Sequence, residues 1–158
     1  MPLHKMLRKT GNVLLAIGAL LTFAAAVLAS VGSALDKESK AFVDAAVPAI
    51  VSGWDIGELQ KRASDEFNNS VDNADMKRYF AILRKMGTLR EYRGSTGEAQ
   101  IDLSFLNGVE VTALYSASAD FDEGAVDLQL SLIKQKGQWQ ILGIRITPRE
   151  LADDNNTI

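Results

Sequence analysis

The chain has 158 residues, enough for one small domain, and a formal net charge of −3. Three of its 17 cations (Lys5, Arg8 and Lys9) lie in residues 1–35, which hold no acid, so the remainder sets 14 cations against 20 acids, a net −6. A domain of that sign offers no electrostatic footprint for nucleic acid and no basic face for anionic lipid. There is no cysteine, and the one histidine, His4, sits in the basic N-terminal flank. The region beyond it therefore excludes disulfides, thiolate zinc sites, cysteine nucleophiles, Ser-His-Asp hydrolysis and imidazole-ligated metals.

After the short basic stretch Met1–Asn12, Val13–Leu35 runs for 23 residues without a charge. As a helix it rises about 35 Å, enough to cross a hydrocarbon core of about 30 Å. Cations precede it and Asp36-Lys37-Glu38 follow, which orients the N-terminus toward the cytoplasm and translocates the rest. Two readings stay open. Residues 13–35 are a retained single-pass anchor in the inner membrane, or they are a signal peptide cleaved after Ala29 or Ala34 that releases a soluble periplasmic protein. Residues 1–35 are thus anchor or signal, 36–147 the domain, and 148–158 a polar tail.

The domain begins with helical patterning. Asp36 is placed to cap a helix with Phe42, Ala45, Ala46 and Ile50 on one face, shortened or kinked by Pro48 and ended by Ser52-Gly53. Asp55-Ile56-Gly57-Glu58 reads as a capping box opening a short second helix with Ile56, Leu59 and Ala63 inward. Asn68-Asn69-Ser70 reads as a loop. Asn73 is placed to cap a third helix from Ala74 to Met86, with Met76, Tyr79 or Phe80, Leu83 and Met86 at helical spacing and Gly87 as the stop. Lys77, Arg78, Arg84 and Lys85 fall off that stripe, as a solvated face does.

From Thr88 the period becomes two. Leu89–Gly94 is one expected strand, and 99–105 a second, with Ala99, Ile101, Leu103 and Phe105 on one side. Matching faces across Asn107-Gly108 calls for a three-residue loop that pairs Phe105 with Val109, Leu103 with Val111 and Ile101 with Ala113. Asp120–Gly124 reads as an Asx-type turn, since a calcium loop would need a glutamate at its twelfth position. Val126, Leu128, Leu130 and Leu132 make the fourth strand. Lys136-Gly137 turns the chain into a fifth, from Trp139 to Ile146, with a bulge or sharp bend at Gly143 and a stop at Pro148.

Three helices followed by about five antiparallel strands make an α+β domain. That order resembles the cystatin-like superfamily typified by nuclear transport factor two, and more narrowly a group of small exported bacterial proteins of unknown function. The residues that carry the resemblance are Met76-Lys77-Arg78-Tyr79-Phe80 through Leu83-Arg84-Lys85-Met86-Gly87, then Arg90 and Arg93, and the closing Lys136-Gly137-Gln138-Trp139-Gln140-Ile141. It implies a curved sheet wrapped around helices as a cone, in a family whose members include isomerases, ligand binders and the periplasmic domains of membrane-tethered assembly subunits.

The face assignment puts no carboxylate on the helix-facing side of the sheet, where an isomerase-like base would sit, so a non-enzymatic role is expected and no cofactor or metal is called for. Trp54, Tyr79, Tyr92, Arg93, Tyr115 and Trp139 are the candidate ligand-pocket residues: aromatic walls with Arg93 for an acidic head group. Each aromatic is equally suited to filling a small core. The opposite sheet face (Gln100, Asp102, Ser104, Thr112, Ser116, Ser118, Gln129, Ser131) is polar and lightly charged, as non-obligate interfaces are and as any solvated sheet face is. The expected partners are therefore the membrane, through residues 13–35, and an envelope protein or homodimer.

Overall fold

The structure is a computed structural model that describes residue 22, residues 30–104 and residues 108–149; of residues 103 and 104 it describes only the backbone. The basic flank, most of the uncharged run, the Ala29 cleavage site, residues 105–107 of the hairpin loop and the tail from residue 150 lie outside the described residues. Among those described, no helix is long and apolar enough to cross a membrane. The chain divides into two compact units, Met1–Leu35 and Asp36–Ile158.

The described residues are α+β, with four helices, the first of which begins before Asp36, and a four-stranded antiparallel sheet. The helices are α1 (residues 30–51), α2 (Ile56–Arg62), α3 (Asp65–Ser70) and α4 (Asn73–Leu83), the last continued by a 3₁₀ turn over Arg84–Met86. The sheet is a simple meander in the order β1 (Leu89–Ser104), β2 (Gly108–Phe121), β3 (Gly124–Gln135) and β4 (Gln138–Arg149).

Several local expectations need correction. Residues 30–51 form one helical stretch, so Asp36 is no cap; its carboxylate accepts instead from the Ala99 amide at 2.7 Å. Pro48 does not shorten the helix, which runs on to residue 51 with the Pro48 carbonyl accepting from the Ser52 amide at 3.0 Å. The buried stripe of α1 is Val43, Ala46, Val47, Ile50 and Val51, which leaves Ala45 exposed and Phe42 half-buried. Asp55 does cap α2, but Glu58 turns to Lys61 and Arg62 instead of completing the reciprocal arm of a capping box. The expected Asn68-Asn69-Ser70 loop is helical because Ser64 supplies a cap, accepting from the Phe67 amide. Asp72, not Asn73, caps α4.

Leu89–Gly94 and residues 99–104 belong to one long strand, not two. Register shifts between Tyr92 and Ser95 absorb the irregularity that the sequence showed as a break. β1 comes so close to β2 at Gly97 that a Cβ there would lie 2.0 Å from the Leu114 carbonyl oxygen, so only glycine fits. The hairpin keeps its faces but pairs two residues away from expectation: Leu103 opposes Val109, Ile101 opposes Val111 and Ser104 opposes Gly108. Parity is fixed by which side is apolar, whereas a two-residue slide leaves that unchanged. Lys136 and Gly137, with φ of 51° and 79°, form the β3–β4 turn. Ser131 opposes Gly143 and Leu132 opposes Ile141, which makes Leu142 the extra residue of the expected bulge. Pro148 does not stop β4; it sits opposite Val126, on an edge strand where a missing amide is tolerated.

One face of the sheet packs on the helices. β2 supplies Ala113, Tyr115, Ala117, Ala119 and Phe121 to it, and β3 supplies Val126, Leu128, Leu130 and Leu132. Trp54, 1% exposed, stacks on Phe121 with ring centroids 5.5 Å apart and meets Phe80 edge-on at 5.6 Å. It holds this place with a positive φ of 46°, just past the end of α1, and its carbonyl accepts from Arg84 at 3.1 Å. Replacing Trp54 by Ala empties the centre of this aromatic cluster. Urea denaturation should then show a loss of about 3–5 kcal/mol, with a much smaller loss for Trp54→Phe.

Candidate functional site

α1 faces β1 with a second, polar stripe beside its apolar one. Asp36, Lys40 and Asp44 recur every four residues and so lie along one side of the helix. Asp36 accepts from the Ala99 amide. The Lys40 ammonium donates to the Ser95 carbonyl at 2.8 Å and to Asp44 at 2.7 Å. Asp44 also accepts from the Tyr92 hydroxyl at 2.8 Å and the Ser95 hydroxyl at 2.6 Å. Ser95 is buried, while the Lys40 and Asp44 side chains keep 49% and 35% of their surface in water.

Burial pushes the Asp44 carboxyl up, but the bonds from Lys40, Ser95 and Tyr92 outweigh it and hold the group below the ordinary carboxylate range. Burial, and then the bond to Asp44, pushes the Tyr92 phenol far above the ordinary tyrosine range. At neutral pH the pair is carboxylate and phenol. A carboxylate stabilised in this way is a weak base, so the cluster holds structure better than it moves protons.

The six candidate pocket residues are spread over the unit. Trp54 is in the core. The Tyr79 hydroxyl donates to the Ile146 carbonyl at 2.9 Å. Tyr92 belongs to the Asp44 cluster, and Arg93 pairs with Asp120 at 2.5 Å. The Tyr115 hydroxyl lies 2.9 Å from Ser39 and donates to the Asp36 carbonyl at 3.1 Å. Trp139 carries the Lys134 ammonium 5.6 Å from its ring centre and borders a separate depression of about 400 Å³ with Phe42, Lys61 and Arg62. The expected turn acids are engaged as well, since Asp122 accepts from the Thr88 amide at 2.7 Å. Among the described residues no group of three acids or imidazoles is placed to hold a metal ion.

The larger concavity lies on the other side of the sheet. A trough of about 910 Å³ crosses all four strands, between Glu98 and Gln100 of β1 and Arg145 of β4, with Ser116, Ser131 and Gly143 among its lining. A Cβ at Gly143 would lie 2.6 Å from the Ser131 hydroxyl, so the smallness of both residues sets the depth there. Thr96, Ser116 and Gln129 also border an adjoining hollow of about 530 Å³ that reaches Lys40, Arg93 and Asp127. Of the six expected residues, Tyr115 borders the trough and Arg93 the hollow. The sequence marked this face as polar and signalled the bulge beside Gly143, but the close strand approach at Gly97 has no residue pattern of its own.

Neither the family models, the curated proteins nor the solved structures include a match to this chain.

The Asp44 cluster makes a pH prediction. Because the Tyr92 pKa is raised in the folded state, the stability it contributes is fully present below the ordinary tyrosine value, about 10, and is lost as pH rises from there toward the folded value. Urea midpoints measured on either side of about pH 10 should fall steeply for the natural chain and less for Tyr92→Phe. At neutral pH, Asp44→Ala should cost about 2 kcal/mol, because two hydroxyl donors lose their acceptor.

Proposed function

We propose that the chain is a non-enzymatic, membrane-tethered binding module. Residues 13–35 hold it in the inner membrane with the N-terminus in the cytoplasm. The unit from Asp36 onward faces the periplasm and engages an envelope protein or a second copy of itself. The observation that carries this reading is the contrast between the two sheet faces. The helix-facing side is filled by Trp54, Phe80, Phe121 and the β3 leucines, whereas the outward side is an open trough that mixes neutral polar groups with the exposed Leu114 and has Glu98 and Arg145 at its margins. A broad, shallow, lightly charged concavity suits a protein surface better than a small molecule, which is usually enclosed on most sides. Helices followed by an antiparallel meander also support the cystatin-like reading, in which tethered assembly domains are one established use of the cone.

A second reading keeps the domain and removes the tether. Ala34 lies just before the unit that begins at Asp36, so cleavage there would release that unit whole, as a soluble periplasmic binder of small ligands. An isomerase-like enzyme is the least supported reading, because the two α1 carboxylates at the helix–sheet seam are already engaged, Asp36 by the Ala99 amide and Asp44 by three donors.

Intact mass in fractionated cells separates the first two: a full-length chain in the membrane fraction is expected, against a chain starting near Leu35 in the soluble periplasm. For the binding face, a photo-crosslinking residue at Ser116, in the trough, should capture a discrete protein adduct in intact cells. The same residue at Ile82, 60% exposed on α4, should not. Equal capture at both positions, or none at Ser116, would contradict the assignment of the trough.

A further inference from the structure

The outward face of the sheet carries a knob, a hollow and charges of both signs, ordered across the strands. Glu98, Leu114, Ser131 and Gly143 stand directly opposite one another on β1 to β4 and so form one row. Leu114, on β2, is the knob and is 60% exposed. The hollow is in the same row on β3 and β4, where Ser131 and Gly143 are too small to fill it. Arg145 belongs to the next row, with Thr96, Ser116 and Gln129, about 7 Å further along the strands. At the other end of the face β1 and β2 run on past β3, and Asp102 faces Glu110 there, a like-charged pair that is unfavourable by itself. Lys136 lies exposed in the β3–β4 turn at that same end. Among the described residues Glu98, Asp102, Glu110, Lys136 and Arg145 take part in no ion pair.

We propose that the occupant of the trough is a second copy of this chain, packed face to face about a two-fold axis that runs along the strands between β2 and β3. The inference rests on the reading of the trough as a protein-binding face, and it selects the partner. Such an axis lays β1 over the partner's β4 and β2 over the partner's β3, an aligned packing of two sheets. Leu114 then enters the hollow left by the partner's Ser131 and the partner's Gly143. Glu98 comes opposite the partner's β4, where an extended side chain on the partner's Arg145 covers the two-residue offset. Asp102 and Glu110, beyond the end of β3, meet the turn that carries the partner's Lys136. Every contact occurs twice, because an isologous interface uses the same patch on both copies. A two-fold axis across the strands would instead stack β1 on β1, setting acids against acids. Packed sheets lie about 10 Å apart, a gap that Leu114 and the long charged side chains fill and serines alone do not.

Sedimentation equilibrium of the full-length chain in detergent micelles tests this. The natural chain should form dimers. Glu98→Arg or Arg145→Glu alone should weaken them several-fold, since each sets like charges together at both symmetric contacts. An equal mixture of the two single variants should recover the natural affinity, because in the mixed pair both contacts again join opposite charges. Leu114→Ser removes the knob from an exposed position and should also weaken the dimer, with the circular dichroism spectrum unchanged. A dimer that none of these variants weakens, or a mixture that recovers nothing, places the interface elsewhere and overturns the proposal. A chain that stays monomeric at its highest soluble concentration, while the photo-crosslinker at Ser116 captures a different protein, overturns it too but leaves the binding reading intact. A monomer with no adduct at Ser116 removes both.

Discussion

The fold depends on one helix that serves as both core and clasp. Along α1, Val43, Val47 and Ile50 bury against the sheet while Asp36, Lys40 and Asp44, one turn apart, reach the backbone and side chains of β1. β1 is an edge strand, and an open edge is a template for pairing with another chain. Asp36 answers the Ala99 amide and Lys40 the Ser95 carbonyl, so part of that edge is satisfied from within the unit. The opposite edge is handled in the same manner: the Ser64 amide bonds the Ile141 carbonyl and the Tyr79 hydroxyl bonds the Ile146 carbonyl.

With each edge answered in part and one face buried, the sheet surface left open is its outward face. Its shape follows from the same constraints. Fastening β1 at Ser95 and Ala99 coincides with the register shift after Tyr92 and the close approach at Gly97, and the bulge at Leu142 turns β4 on the far side. Between these two irregularities Ser116, Gln129 and Ser131 line the trough together with the exposed Leu114. Of the charges that border the adjoining hollow, Arg93 pairs with Asp120, Asp127 with Arg149 and Lys40 with Asp44.

What the sequence revealed and what it concealed divide along physical lines. The switch from helical to strand period at Thr88, the β3–β4 turn at Lys136-Gly137 and the bulge near Gly143 are local signals, and they are in the structure. The count of strands was misread because Gly94 and Gly97 look like a break, yet here they allow a shift of register and a close approach inside one strand. The hairpin slid by two residues because hydrophobic alternation fixes only parity. Most of the candidate pocket was misdirected for a related reason: an aromatic residue says that something large is buried, but not whether a ligand or the core surrounds it. The Asp44 cluster was invisible because Lys40 and Asp44 resemble any exposed helical ion pair until Tyr92 and Ser95 arrive from fifty residues away.

The clasp is tested most directly by hydrogen exchange at the Ala99 amide, which faces α1 and not β2. In the natural chain this amide should be protected to the level of the sheet core, and Asp36→Ala should release it while amides at the centre of β2 and β3 keep their protection. An Ala99 amide that exchanges like a free strand edge in the natural chain, or that is unaffected by Asp36→Ala, would mean that α1 does not fasten β1.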